Sequence, residues 1–128
     1  MPGQKLIPGL VLDTSEEGLG AFWNNWQKTL MEELWKQPNM TSGDAYEYLK
    51  REGVKTSKGT TNTVSRASVI NFLNRQAEDG VLKYSEETCK GGGRRRYRPA
   101  MNSDQFAENA IYTIRNKLSE IFPQQKPL

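Results

Sequence analysis

The chain has 128 residues, 18 Lys and Arg against 15 Asp and Glu, no His and a single Cys. That length fits one domain, and a mean hydropathy of -0.78 lies on the polar side of globular, although three Trp, five Tyr and four Phe supply bulk for a small core. Without His, and with Cys89 alone, one chain cannot assemble a thiolate or imidazole zinc site, a Cys-His pair, a Ser-His-Asp triad or an internal disulfide. The acids sit singly or in exposed-looking pairs such as Glu16-Glu17 and Glu32-Glu33, so neither an enzyme nor a metal or other cofactor is expected.

Charge is unevenly placed. Residues 1–49 carry three bases and seven acids, residues 50–98 carry twelve bases and five acids, and residues 99–128 carry three of each. A basic middle calls for a polyanionic partner. The first 15 residues lack a charged start followed by a long apolar run, and no apolar stretch approaches the ~20 residues of a membrane span. The expectation is a soluble, cytoplasmic chain without a membrane partner.

Residues 1–15, with Pro2, Gly3, Pro8 and Gly9, read as a flexible arm with no assigned role. From Ser15 onward Phe22, Trp26, Leu30 and Leu34 recur every four residues beside Trp23, Met31 and Trp35, which predicts one wide-faced core helix stopped by Pro38. Aromatic residues at that spacing build core rather than a stacking platform for bases. Thr41-Ser42-Gly43-Asp44 opens a second helix as an N-cap region, with Ala45, Tyr48 and Leu49 inward and Gly53 at its end. The polar stretch 54–63 reads as a loop.

A third helix runs from about Ser65 to Asp79, with Val69, Phe72, Leu73 and Ala77 inward and Gly80 as its stop. Ser65, Arg66, Ser68 and Asn71 put hydroxyl, guanidinium and amide groups on its outer side near the N-terminus, the chemistry that contacts phosphates and base edges. Residues 81–88 alternate like a strand, 94–98 form its return partner, and Gly91-Gly92-Gly93 supplies the turn. Asn102-Ser103-Asp104 caps a last helix ending before Pro123. In it Ala107, Ile111, Ile114, Leu118 and Ile121 are spaced 4, 3, 4, 3, a heptad seam suited to the same helix of a second copy.

Helix, helix, loop, helix with a polar first turn, then a basic hairpin is the order of a winged helix-turn-helix, which sets its third helix in the major groove and its hairpin against the backbone or the minor groove. The fold expectation is therefore mainly α with a small β-hairpin: an arm (1–15), a winged helix-turn-helix domain (16–101) and a C-terminal dimerisation helix (102–123).

Particular residues also resemble a family. Leu30-Met31-Glu32-Glu33-Leu34-Trp35 is similar to the first-helix pattern of the penicillinase (β-lactamase) repressors. Thr63-Val64-Ser65-Arg66-Ala67-Ser68-Val69 resembles that family's recognition-helix entry, Asn74-Arg75 with Asp79-Gly80-Val81-Leu82 its exit, and Tyr97-Arg98-Pro99 the end of its wing. The likeness covers about residues 26–101, and several of its motifs are shared with multiple-antibiotic-resistance-type repressors. It implies a dimeric, DNA-binding transcriptional repressor whose recognition-helix positions fall here on Thr63, Ser65, Arg66, Ser68 and Asn71. The loop 53–62 is longer than the family pattern, and the tail has no counterpart of the family's inducing cleavage site.

The functional expectation is a homodimer on a pseudo-palindromic operator in double-stranded DNA. Arg66 with Ser65, Ser68, Asn71 and Thr63 lies in the groove, while Lys55, Lys58, Arg94, Arg95 and Arg96 neutralise phosphates. The alternative is a winged-helix module whose basic face meets an acidic protein. Cys89, beside Lys90 and near three Arg, is a candidate redox-sensitive thiol or an incidental one. The sequence does not identify an inducer, small molecule or protein.

Overall fold

A computed structural model of the chain describes residues 4–54, 64–89 and 92–124. In chain order these form a single 3-10 turn (Gly18–Ala21), α1 (Asn25–Lys36), α2 (Ser42–Arg51), α3 (Arg66–Glu78), β1 (Leu82–Cys89), β2 (Gly92–Pro99) and α4 (Ser103–Ile121). The fold is helix-rich with one small antiparallel hairpin.

The helix starts follow side chains that compete for backbone N–H groups. Asn24, Thr41 and Asn102 each cap the N-terminus of their helix, with Gln27, Asp44 and Gln105 returning a bond to the cap residue's own N–H. Gly53 and Gly80, just past the ends of α2 and α3, take left-handed φ values of 68° and 82°, a conformation that costs glycine nothing.

Asn24 corrects the first helix, which the four-residue spacing extends back to Ser15. Its side chain accepts from the Gln27 N–H and so starts the helix after it. Upstream, Gly18 and Gly20 favour the short 3-10 turn over a helix. Phe22 and Trp23 still pack inward, Trp23 stacking on Phe106 at 4.4 Å between ring centroids and Phe22 meeting the same ring edge-on at 5.5 Å.

The core is one cluster. Leu30, Met31 and Leu34 of α1, Ala45 and Leu49 of α2, Val69 and Leu73 of α3, Val81 and Leu82, Tyr97 and Phe106 meet in it. The hairpin pairs Leu82 with Pro99 through to Cys89 with Gly92, so Gly92 and Gly93, read as turn residues, belong to β2 instead. An isolated antiparallel bridge adds to its edge: the N–H of Met40 donates to the Tyr97 carbonyl at 3.1 Å, and the N–H of Tyr97 returns to the Met40 carbonyl at 2.8 Å.

Within the stretch read as a flexible arm, Lys5 and Ile7 are anchored. Ile7 is buried in the core, its N–H donates to Thr113 Oγ1 at 2.9 Å, and the Lys5 N–H donates to Asn109 Oδ1 at 3.0 Å. The two α4 side chains offer these acceptors where a neighbouring helix would offer only packing. An apolar residue between Pro2 and Pro8 carries no periodic signal, so Ile7 is invisible to pattern reading.

Candidate nucleic-acid interface

Ser65, Arg66, Ser68 and Asn71 are all exposed, and α3 presents them at its N-terminal end. Ser65 is the N-cap: its Oγ accepts from the Ser68 N–H at 3.1 Å and donates to Ser68 Oγ at 2.9 Å. Ser65 is thus committed to the cap, while the Ser68 hydroxyl keeps its proton for an outside acceptor. The Arg66 guanidinium lies 5.0 Å from the centroid of the Tyr46 ring of α2, a cation–π seat that orients it along the surface.

Sequence reasoning passed over Arg75, which stands one turn beyond Asn71 on the same side of α3. With Ser68 and Asn71 it lines an open cleft of about 1150 Å³, bordered on the other side by Asn24 and Lys28 at the start of α1 and by residues of the N-terminal segment such as Gly9. The i, i+4 relation of Asn71 and Arg75 was a legible signal.

The hairpin divides the three consecutive arginines, which sequence reading treats as one phosphate-neutralising patch. Alternation along paired strands puts Tyr84, Glu86, Arg95 and Tyr97 on one face and Glu87, Arg94 and Arg96 on the other. On the first face, Arg95 Nη1 donates to Asn74 Oδ1 of α3 at 3.2 Å, the Tyr97 hydroxyl donates to the same oxygen, and the guanidinium sits 4.2 Å from the Tyr84 ring centroid. Asn74 therefore fastens the hairpin to α3. That junction lies about 12 Å along the helix axis from Arg66, so the hairpin meets the later turns of α3 rather than its start.

On the second face Glu87 holds two cations. Arg94 Nε donates to one carboxylate oxygen and Arg96 Nε to the other, the latter at 2.9 Å. These bonds, Arg96 first, keep the Glu87 carboxyl below the usual glutamate value. Arg96 also donates to the Asn39 carbonyl at 3.1 Å and lies 3.8 Å from Asp44 at the start of α2. Arg95 has its own acid, with Glu86 at 3.5 Å. The register accounts for these pairs: Glu86 and Glu87 stand directly opposite Arg95 and Arg94.

Lys55, Lys58 and Thr63 lie outside the described residues, as does the side chain of Cys89. Along α4, Ala107, Ile111 and Ile121 are exposed and Ile114 and Leu118 half-buried, while Phe106, Asn109, Ala110 and Thr113 form the inward face. Among the described residues there is no group of acids or thiols spaced to hold a metal ion, and no helix long and apolar enough to cross a membrane. No family model matches the chain, and no curated protein matches it.

Proposed function

We propose that the chain is a sequence-specific, double-stranded DNA-binding transcriptional regulator of the winged helix-turn-helix type. It acts as a repressor and binds a pseudo-palindromic operator as a homodimer. The observation that carries this reading is the topology around Tyr97. Met40, between α1 and α2, makes a single antiparallel bridge to Tyr97 in the second strand of the hairpin that follows α3, and Asn74 ties that hairpin to α3. An arrangement of this kind leaves the outer side of α3 for the major groove and the hairpin as the wing.

In this reading Ser68, Asn71 and Arg75 face base edges, Arg66, on the opposite flank of α3 beside Tyr46, reaches a nearby phosphate, and Ser65 holds the helix start. Arg94, Arg95 and Arg96 add phosphate contacts that carry affinity without sequence preference. Two copies set their third helices about 34–36 Å apart, one turn of duplex. The α4 seam joins them.

Retardation of bulk genomic fragments at low salt tests the reading. Changing Arg94, Arg95 and Arg96 together to Ala flattens the dependence of log affinity on log salt by up to about 3 units. An unchanged slope removes the wing from the interface. The alternative reading is a winged-helix module whose basic face meets an acidic protein, and the internal pairing of all three arginines with acids weighs on both readings alike. No retardation at low salt decides for the alternative.

A further inference from the structure

The C-terminal helix has two apolar directions, and the described chain covers one of them. Phe106, Ala110 and Thr113 turn inward, toward the Trp23 ring and the N-terminal segment. At 100° per residue, the seam Ala107, Ile111, Ile114, Leu118 and Ile121 points roughly 90° away from that direction. Ile111 is 52% exposed and Ile121 65% exposed, values far above those of core aliphatic residues. Beyond Thr113 no residue of α4 is fully buried, and Ile114, Asn116 and Leu118 are half-buried.

We propose that this seam is occupied by α4 of a second copy running antiparallel, with Glu108 and Arg115 forming two reciprocal ion pairs across the two-fold axis. The proposal rests on the homodimer reading above and adds its orientation. Two features of the helix decide between the orientations. The first is volume. Antiparallel pairing centred between Ile111 and Ile114 sets Ile111 against Ile114 of the second copy and the small Ala107 against the large Leu118, whereas parallel pairing sets Ala107 against Ala107 and leaves a gap.

The second feature is charge. Glu108 and Arg115 are both exposed and flank the seam on the same side, one heptad apart. In antiparallel pairing, equivalent flanking positions meet across the axis, which brings Glu108 of each copy beside Arg115 of the other. In parallel pairing the same flank meets the position occupied by Ser103 and Ala110, and neither charge finds an opposite. Among the described residues neither Glu108 nor Arg115 is in an ion pair within its own chain.

Sedimentation equilibrium on the full chain tests the orientation without any DNA. Glu108→Arg and Arg115→Glu, each alone, replace two attractions with two repulsions and weaken self-association by about tenfold. An equimolar mixture of the two variants restores wild-type association, because every cross-pair in the heterodimer is then attractive. That recovery also shows that both variants are folded. If the wild type dimerises but the single reversals leave its association unchanged, or the mixture fails to recover, the antiparallel arrangement is wrong. A wild type that sediments as a monomer throughout overturns the homodimer reading itself, a separate outcome.

Discussion

Glu87 is where the chemistry of single residues bears most on the proposed site. One carboxylate takes two guanidinium groups, and a duplex phosphate approaching the same arginines must displace it. Replacing it, Glu87→Gln, releases Arg94 and Arg96 from that anion and steepens the salt dependence of DNA affinity by up to about 2 units. Equal slopes for variant and wild type would mean that this face of the hairpin does not touch DNA. The same bonds link stability to pH. Because the folded carboxyl titrates below its ordinary 4.5, its contribution is present at neutral pH and is lost as pH falls through the lowered folded value. The melting-temperature difference between wild type and Glu87→Gln therefore closes on acidification below 4.5.

Ile7 makes the opposite kind of claim, since its 2% exposure joins it to a core built from elements far along the chain. Ile7→Ala lowers unfolding stability by about 2–4 kcal/mol in urea denaturation, as for other buried aliphatic truncations. A change near zero would show the segment to be a loosely laid arm after all.

At the level of elements, caps explain the boundaries. Thr41 Oγ1 accepts from the Asp44 N–H at 3.0 Å and Asp44 Oδ2 accepts from the Thr41 N–H at 3.1 Å. Removing the hydroxyl with Thr41→Ala costs about 1 kcal/mol, or about 4 °C of melting temperature in a domain of this size. Thr41→Ser, which keeps the acceptor, recovers most of it. The hairpin shows a different logic, in which strand register decides partners. Once Leu82 faces Pro99, the pairing of Glu86 with Arg95 and Glu87 with Arg94 is unavoidable, and the pleat then sends Arg95 to α3 and its two neighbours to the far face.

For the molecule as a whole, the decisive asymmetry is that the buried residues of α4 all lie in its first half, from Phe106 to Thr113. In the proposed α4 dimer, folding and association are one equilibrium. The melting midpoint of the wild type accordingly rises with protein concentration, and that of Ile111→Asp does not. A concentration-independent wild-type midpoint would place the seam outside any interface.

Much of this architecture could be read from residue order, because the signals involved are local. Cap side chains, apolar residues at helical spacing, glycines after helix ends and an alternating hairpin act within four or five residues of themselves, and α2, α3, the hairpin and α4 follow from them. The start of α1 escaped because Phe22 keeps the helical spacing while Asn24 takes the backbone N–H that ends its claim. Contacts between distant segments left no such trace: Ile7 on Thr113, Met40 on Tyr97, and Asn74 beneath Arg95 and Tyr97 depend on how packed elements converge. Composition marks the middle of the chain as basic, but whether a cation is spent on a neighbouring carboxylate or held ready for a phosphate is a question of distance. Only the packed strands and helices set that distance.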